Sequence, residues 1–325
     1  MPRIPSYSYS RPFWISGPQG DVMLSSATVT GDGTNTNQLV YVDGVTSGLT
    51  TISGGTFSLS QTPLTAADNQ GLRIDGSRYL VTGVNVQLPG QADVVAGFWV
   101  TGSQGRIERS RFRADGDGDI TATTLGGYVS DGAFQLYQSW LSAGTATTSE
   151  GLQLTGTLMA RVIGNSLDAG GLAGRVGTTS AGVLCYSDAG TIFMQNNLIH
   201  GGAAPTHRMV WDYGADGGSC NSPASWDHNY FSFSAPATRD PSDLASSLAL
   251  GAPGVPDARG NIIGDAVGCF DPAFPAPDFH IAAGSPCVNR GVAATRADGS
   301  AITLDLLGGA RVLGGSPDIG CHEKQ

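Results

Sequence analysis

The sequence predicts an all-β solenoid of about nine stacked coils, each near thirty residues long, and three observations lead to it. The first is a recurring pattern: an apolar residue, two variable ones, a small or amide residue, one variable, then another apolar. It reads Leu24…Ala27-Thr28-Val29, Ile52…Gly55-Thr56-Phe57, Val81…Val84-Asn85-Val86, Ile107…Ser110-Arg111-Phe112 and Leu136…Ser139-Trp140-Leu141. It continues as Val162…Asn165-Ser166-Leu167, Phe193…Asn196-Asn197-Leu198, Trp226…Asn229-Tyr230-Phe231 and Ala258…Asn261-Ile262-Ile263. The fourth positions (27, 55, 84, 110, 139, 165, 196, 229 and 261) are spaced by 28, 29, 26, 29, 26, 31, 33 and 32. Near-constant spacing of this kind marks a repeat architecture.

The second observation is a glycine followed by alternating apolar residues, as in Gly71-Leu72-Arg73-Ile74, Gly97-Phe98-Trp99-Val100, Gly151-Leu152-Gln153-Leu154 and Gly182-Val183-Leu184-Cys185. Such alternation marks a strand with one buried face. The third is composition. The 325 residues include 48 glycines, 40% are hydrophobic and 14% charged, which suits short strands joined by tight turns and a continuous core. Leucines at fixed offsets and a 3.6-residue period are both absent, so leucine-rich and helical repeats are set aside.

Each period holds two or three short strands. Asn165, Asn196, Asn229 and Asn261 are expected to stack as a side-chain ladder, coil upon coil. Residues 1–20, rich in proline and aromatics, are expected to form an N-terminal arm or cap, 21–265 the coils and 266–325 a C-terminal capping segment. Long turns fall at 113–131, 168–181 and 232–257, the last with Ser242 as N-cap of one short helix.

The net charge of −10 and pI near 4.7 disfavour nucleic acid and anionic membrane as partners. No segment has the length and apolarity of a membrane span. The start, Met1-Pro2-Arg3-Ile4-Pro5, lacks the apolar run of an export signal. Either the chain is not exported or its signal has been removed, and the cysteines favour removal.

The repeat resembles the right-handed parallel β-helix superfamily of pectate lyases, chondroitinase B, polygalacturonases and phage tailspikes. The C-terminus resembles the closing motif of bacterial surface proteins called choice-of-anchor Q. The residues that carry this are Asp278-Phe279-His280, Ser285-Pro286-Cys287-Val288, Gly291, Asp305…Arg311 and Pro317-Asp318-Ile319-Gly320-Cys321-His322-Glu323. The resemblance implies an extracellular or cell-surface protein. The chain departs from that motif at Cys287 and Cys321, where alanine is usual, and the paired departure implies a Cys287–Cys321 disulfide worth roughly 3–4 kcal/mol. Cys185 with Cys220 is one option for a second bridge; any two of Cys185, Cys220 and Cys269 remain open as a pair. Disulfides imply an oxidising compartment.

In enzymes of the resembled class, substrate lies along one parallel sheet. Alternation turns Leu72, Ile74, Phe98, Val100, Leu152, Leu154 and Val183 inward, so Tyr41, Arg73, Trp99, Gln153 and Gln135 project outward as a sugar-binding stripe. Asp115, Asp117 and Asp119, in an Asp-Gly alternation, form the candidate Ca²⁺ site, and Ca²⁺ is the one cofactor anticipated. His207, Arg208 and Asp212, with Asp216 nearby, are the candidate catalytic group, since elimination from a uronate needs a base. The polygalacturonase motifs are absent, and His228, His280 and His322 read as structural. The expectation is a secreted or cell-surface protein binding polysaccharide or acting in adhesion; the alternative is a polysaccharide lyase or other glycan-active enzyme.

Overall fold

The computed structural model describes residues 9–323 apart from 18–19, 32–35, 60–65, 91, 117–120, 145, 171–177, 203, 213–224, 234–252, 266–279 and 283. The chain is an all-β parallel solenoid with about six complete turns, over 36–200, flanked by turns with shorter or fewer strands. The expected count of about nine included those flanking turns, because one matched strand satisfies the repeat pattern while a full turn needs three. The proposed helix at Ser242 lies outside the described residues.

Strands stack in three columns, all in parallel. The first column holds Phe13–Ser16, Thr36–Asp43, Ala66–Asp75, the first halves of Ala92–Glu108, Thr123–Tyr137, Thr148–Ile163 and Thr179–Gln195, then Thr206–Asp212. The second holds Arg78–Thr82, the second halves of the four long strands, and Trp226–Asp227. The third runs through Asn85–Gly90, Arg111–Gly116, Trp140–Ala143, Ser166–Asp168, Leu198–His200, Tyr230–Phe233 and Ile262–Asp265. Tyr9–Ser10 and Phe13–Ser16, within the expected N-terminal arm, already pair with Thr36–Asp43 as a rung of the first column.

The corners are set by left-handed backbone. Between the second and third columns, Arg109 (φ 49), Gln138 (φ 49), Asn196 (φ 57) and His228 (φ 51) adopt it, as do Gly83, Gly164 and Gly260. At each of these corners except Gly260, whose amide donates to Asp257 O, the amide donates to a carbonyl of the next coil, as in Gln138 N–H to Ile163 O at 3.2 Å. Glycine is required inside as well: a Cβ on Gly97 would lie 2.8 Å from Phe112 Cβ, because the first and third columns nearly touch there.

Immediately after that corner comes the ladder. Val84 N–H donates to Ser110 Oγ, Ser110 N–H to Ser139 Oγ, and Ser139 N–H to Asn165 Oδ1. Asn165, Asn197 and Asn229 then donate their amides to Asn197, Asn229 and Asn261 Oδ1, each at 3.0 Å. The seventh ladder residue is therefore Asn197 and not Asn196. Asn196 occupies the left-handed corner instead. The expected inward residues Leu72, Ile74, Phe98, Val100, Leu152, Leu154 and Val183 are all fully buried in one continuous core.

Residues 280–323 lie along the flank of the coils. Arg296 pairs with Glu108 at 3.1 Å, Ala297 N–H donates to Tyr137 Oη, and Asn196 exchanges two hydrogen bonds with Val292. A buried polar knot holds the segment together: Arg311 pairs with Glu323 and donates to Asp318 O, while Glu323 N–H donates to Asp305 Oδ2.

The expected Cys287–Cys321 bridge is not formed: Cys321 is a free, buried thiol, and burial pushes it up to about 11. Ile319 N–H binds Cys287 O, yet the two thiols pack in different clusters. Cys287 sits with Leu198, Tyr230 and Ile262, and Cys321 with Trp140 and Leu306. Cys287 and Cys185 are disulfide-bonded; Cys220 and Cys269 lie outside the described residues.

Candidate functional site

The outer surface of the first column is the candidate site, and strand register builds it. Trp14 pairs with Tyr41, Tyr41 with Arg73, Arg73 with Trp99, Trp99 with Tyr128, Tyr128 with Gln153, Gln153 with Leu184, and Leu184 with Trp211. These side chains alternate with the buried positions on either side, so they occupy one straight file across eight rungs, about 34 Å at the usual strand spacing. Tyr41, Arg73, Trp99 and Gln153 all lie in it. Gln135 does not. It follows the bend at Asp131–Gly132 (φ 59 and 88), belongs to the second column beside Arg106 and Arg161, and accepts from Tyr137 Oη.

The file is internally organised. Trp99 and Tyr128 stack with centroids 3.9 Å apart. Arg11 lies over both Tyr41 and Trp14, and Arg208 lies 3.8 Å over Trp211. Arg73 pairs with Asp75 at 2.7 Å. Tyr41 and Leu184 are buried, whereas Arg73, Trp99, Tyr128, Gln153 and Trp211 are half-exposed and Trp14 is open. Stacking thus occupies one face of several rings and leaves edges, amide and guanidinium groups toward the outside. Burial, with help from Asp75, raises the Tyr41 phenol to about 12.

A second file runs beside it, three residues earlier in each strand: Gln38, Gln70, Ala96, Leu125, Glu150, Ala181 and Arg208. Contacts at both ends place the two files on one side of the column, with the second file buried throughout. Arg73 donates to Gln70 Oε1 at 3.3 Å, Arg11 donates to Gln38 Oε1, and Arg208 covers Trp211. Glu150 is the chemically unusual member. It is 4% exposed, its Oε2 has no hydrogen-bond partner, and burial alone pushes its carboxyl up to about 8.

The sequence-predicted catalytic group is not brought together. Arg208 faces outward in the second file. His207 is buried on the opposite side of the strand, its Nδ1 within 2.9 Å of Ala204 O. Asp212 pairs in register with Cys185, at the end of an inward file that includes Val42, Ile74, Val100 and Leu154. Asp216 lies outside the described residues. Of the candidate Ca²⁺ ligands, Asp115 is paired with Arg113 on the third column, with burial raising its carboxyl; Asp117 and Asp119 lie outside the described residues. Among the described residues, no group of three or more histidine, cysteine or acidic side chains is arranged to hold a metal. No described helix is long and apolar enough to cross a membrane.

Sequence reasoning missed Trp14, Tyr128, Trp211 and Glu150. Tyr128 follows Gly127 as Trp99 follows Phe98 after Gly97, so the same glycine motif marks it. Glu150 directly precedes Gly151, as Gln70 precedes Gly71 and Ala181 precedes Gly182; the residue before the glycine was the readable signal. Trp211 follows Met209-Val210, without a leading glycine. No family model, no curated protein and no solved structure matches the chain.

Proposed function

We propose that this is a secreted or cell-surface protein that binds extracellular polysaccharide along the outer face of its first strand column, in adhesion or matrix assembly. The observation that carries the reading is the in-register file from Trp14 to Trp211, in which five aromatic rings, the Gln153 amide and the Arg73 guanidinium succeed one another at the strand spacing with Leu184 as the one aliphatic member. Sugars offer apolar ring faces and dense hydroxyls, and such a surface meets both. The disulfide-bonded Cys185 and Cys287 favour an oxidising compartment. The resemblance of the repeat to the pectate-lyase-like superfamily, and of the closing segment to choice-of-anchor Q proteins, supports the same reading.

The test is a glycan array on the wild type and on Trp99→Ala and Tyr128→Ala. Each substitution is expected to weaken binding about tenfold with about 1 kcal/mol of stability lost from the stack. Unaltered affinity in both would remove the site. A second reading, a polysaccharide lyase or other glycan-active enzyme, is favoured by Arg208 and Glu150 sharing this face. A lyase generates an unsaturated uronate absorbing in the near ultraviolet. That signal from acidic glycans, with or without Ca²⁺, and its loss in Arg208→Ala, would establish it; silence across the panel with binding retained rejects it.

A further inference from the structure

We propose that a cleft between the second strand column and the C-terminal segment binds a small carboxylic acid that carries an aromatic or branched apolar group. The inference is independent of the glycan reading, since the bend at Asp131–Gly132 (φ 59 and 88) separates these residues from the aromatic file. The cleft has a volume of about 430 Å³, within the range of small-molecule sites. Its lining comes from two files that register places side by side: Gln135, Arg161 and Phe193 in one, Ala133 and Met159 in the other. Ala297 lines it from the C-terminal segment. That wall is tied down on the coils: Ala297 N–H donates to Tyr137 Oη at 3.2 Å, Arg296 pairs with Glu108 at 3.1 Å, and Asp298 with Arg106 at 3.5 Å. Met159 is 64% exposed, and Phe193 is only partly covered. Apolar surface left in water within a recess gains free energy when an apolar ligand covers it.

Arg161 sets the charge of the ligand. Its guanidinium lies 4.8 Å over the Phe193 ring, donates to Thr295 O at 3.1 Å and stands beside the Tyr137 phenol. Two rungs earlier in the same file, Arg106 pairs with Glu108 and Asp298. No carboxylate among the described residues pairs with Arg161. Its Nε is covered and unpartnered, so the guanidinium is both without a counter-ion and short of acceptors. Arginine carries five N–H donors, more than Thr295 O and the Tyr137 phenol take up. A ligand carboxylate supplies the missing charge and accepts charge-assisted hydrogen bonds, while its apolar body covers Met159 and Phe193. A neutral ligand of the same shape covers the apolar lining and leaves the guanidinium as it was. The chain's net charge of −10 acts mostly beyond the screening length of about 8 Å at physiological salt, so contact with Arg161 governs at this site.

The experiment measures affinity by calorimetry on the full chain for cinnamate, for its neutral amide cinnamamide, and for acetate, the acid without the apolar group. The variants are Met159→Gln, Phe193→Ala and Arg161→Gln. Met23→Gln is the control at another open methionine, 75% exposed, and thermal melting reports folding. Cinnamate is expected to bind the wild type and Met23→Gln about tenfold or more tighter than either other compound. Arg161→Gln is expected to lose the preference for cinnamate over cinnamamide. Phe193→Ala and Met159→Gln are expected to weaken cinnamate about three- to tenfold. Cinnamamide or acetate bound as tightly as cinnamate overturns the ligand class. Cinnamate affinity unchanged in both Met159→Gln and Arg161→Gln overturns the location; Met159 is open to solvent, so that variant folds even where Phe193→Ala does not. A wild type that binds none of the three compounds overturns the site, and the glycan reading still stands or falls on Trp99→Ala and Tyr128→Ala.

Discussion

Replacing Asn197 by alanine is the sharpest probe of how the coils are held in register. Asn197 Oδ1 accepts from Asn165 N–H and Nδ2, both at 3.0 Å, while its own Nδ2 donates to Val162 O at 2.8 Å and Asn229 Oδ1 at 3.0 Å. All of these groups are buried. Asn197→Ala strands the Asn165 amide, at roughly 1–3 kcal/mol, and removes three further bonds worth roughly 0.5–1.5 kcal/mol each. A loss of about 3–5 kcal/mol follows. Asn197→Ser should lose less, because Ser110 and Ser139 fill the equivalent position with an Oγ that accepts the preceding coil's amide at 3.2 Å. Asn196→Gly is the control: it keeps the left-handed corner and forfeits only the two bonds to Val292, about 1–2 kcal/mol. Urea unfolding followed by far-ultraviolet circular dichroism ranks the three variants. If Asn197→Ala unfolds at the same midpoint as Asn196→Gly, the coil-to-coil bonds are not where the register puts them and the reasoning fails.

The Glu150 carboxyl stands at about 8 against an ordinary 4.5, and at about 1.36 kcal/mol per step of one in pKa its ionisation in the fold costs roughly 5 kcal/mol. Because the folded value is raised, the penalty is absent below pH 4.5, grows up to pH 8 and is complete above. Glu150→Gln should therefore match the wild type near pH 4 and melt well above it near pH 9, and equal melting at both would refute the burial argument. Glu323, pushed up to about 7, titrates in both proteins and cancels in the comparison. Gly83 sits at φ 66, where an added Cβ meets nothing closer than 3.8 Å, so Gly83→Ala isolates backbone strain and should cost about 1–2 kcal/mol in chemical denaturation. Arg296→Ala removes the Glu108 pair and the bond to Ala301 O; limited proteolysis should then cut within 290–300 faster than in the wild type while the coils stay intact.

Much of the fold was legible because a solenoid repeats its physical demands. Asn165, Asn229 and Asn261 were readable as ladder positions, and the repeat pattern put Ser110 and Ser139 at the equivalent place, where a side-chain oxygen accepts the amide that each corner exposes. The slip to Asn196 has a local cause: the corner and the ladder both favour asparagine, and the chain places one after the other. Spacing resolves it, because 165, 197, 229 and 261 are separated by 32 throughout. Strand phase was legible from Leu72, Ile74, Phe98 and Val100. Gln135 was misassigned because Phe134-Gln135-Leu136 alternates like its neighbours, and alternation does not reveal that the strand has turned a corner at Asp131. The cysteine pairing failed for another reason: a motif puts Cys287 and Cys321 in one closing segment without saying which cluster each thiol enters.

Glu150 was the least legible residue. A glutamate before a glycine reads as a solvated turn, and nothing local announces that it will be covered. In this architecture the inward and outward files are otherwise nearly independent. Phe98, Val129 and Leu154 hold the core whatever stands at Trp99, Tyr128 or Gln153, so the outer face can be rewritten without loss of the fold. Glu150 breaks that separation, because its burial is set against the stability of the whole chain over the pH range in which it ionises. A leucine there, like Leu125 one rung earlier in the same file, would meet the packing requirement with no such cost. The file therefore holds, at a loss of stability over the pH range in which it ionises, a carboxyl at a position where Leu125 shows that packing alone accepts an apolar side chain.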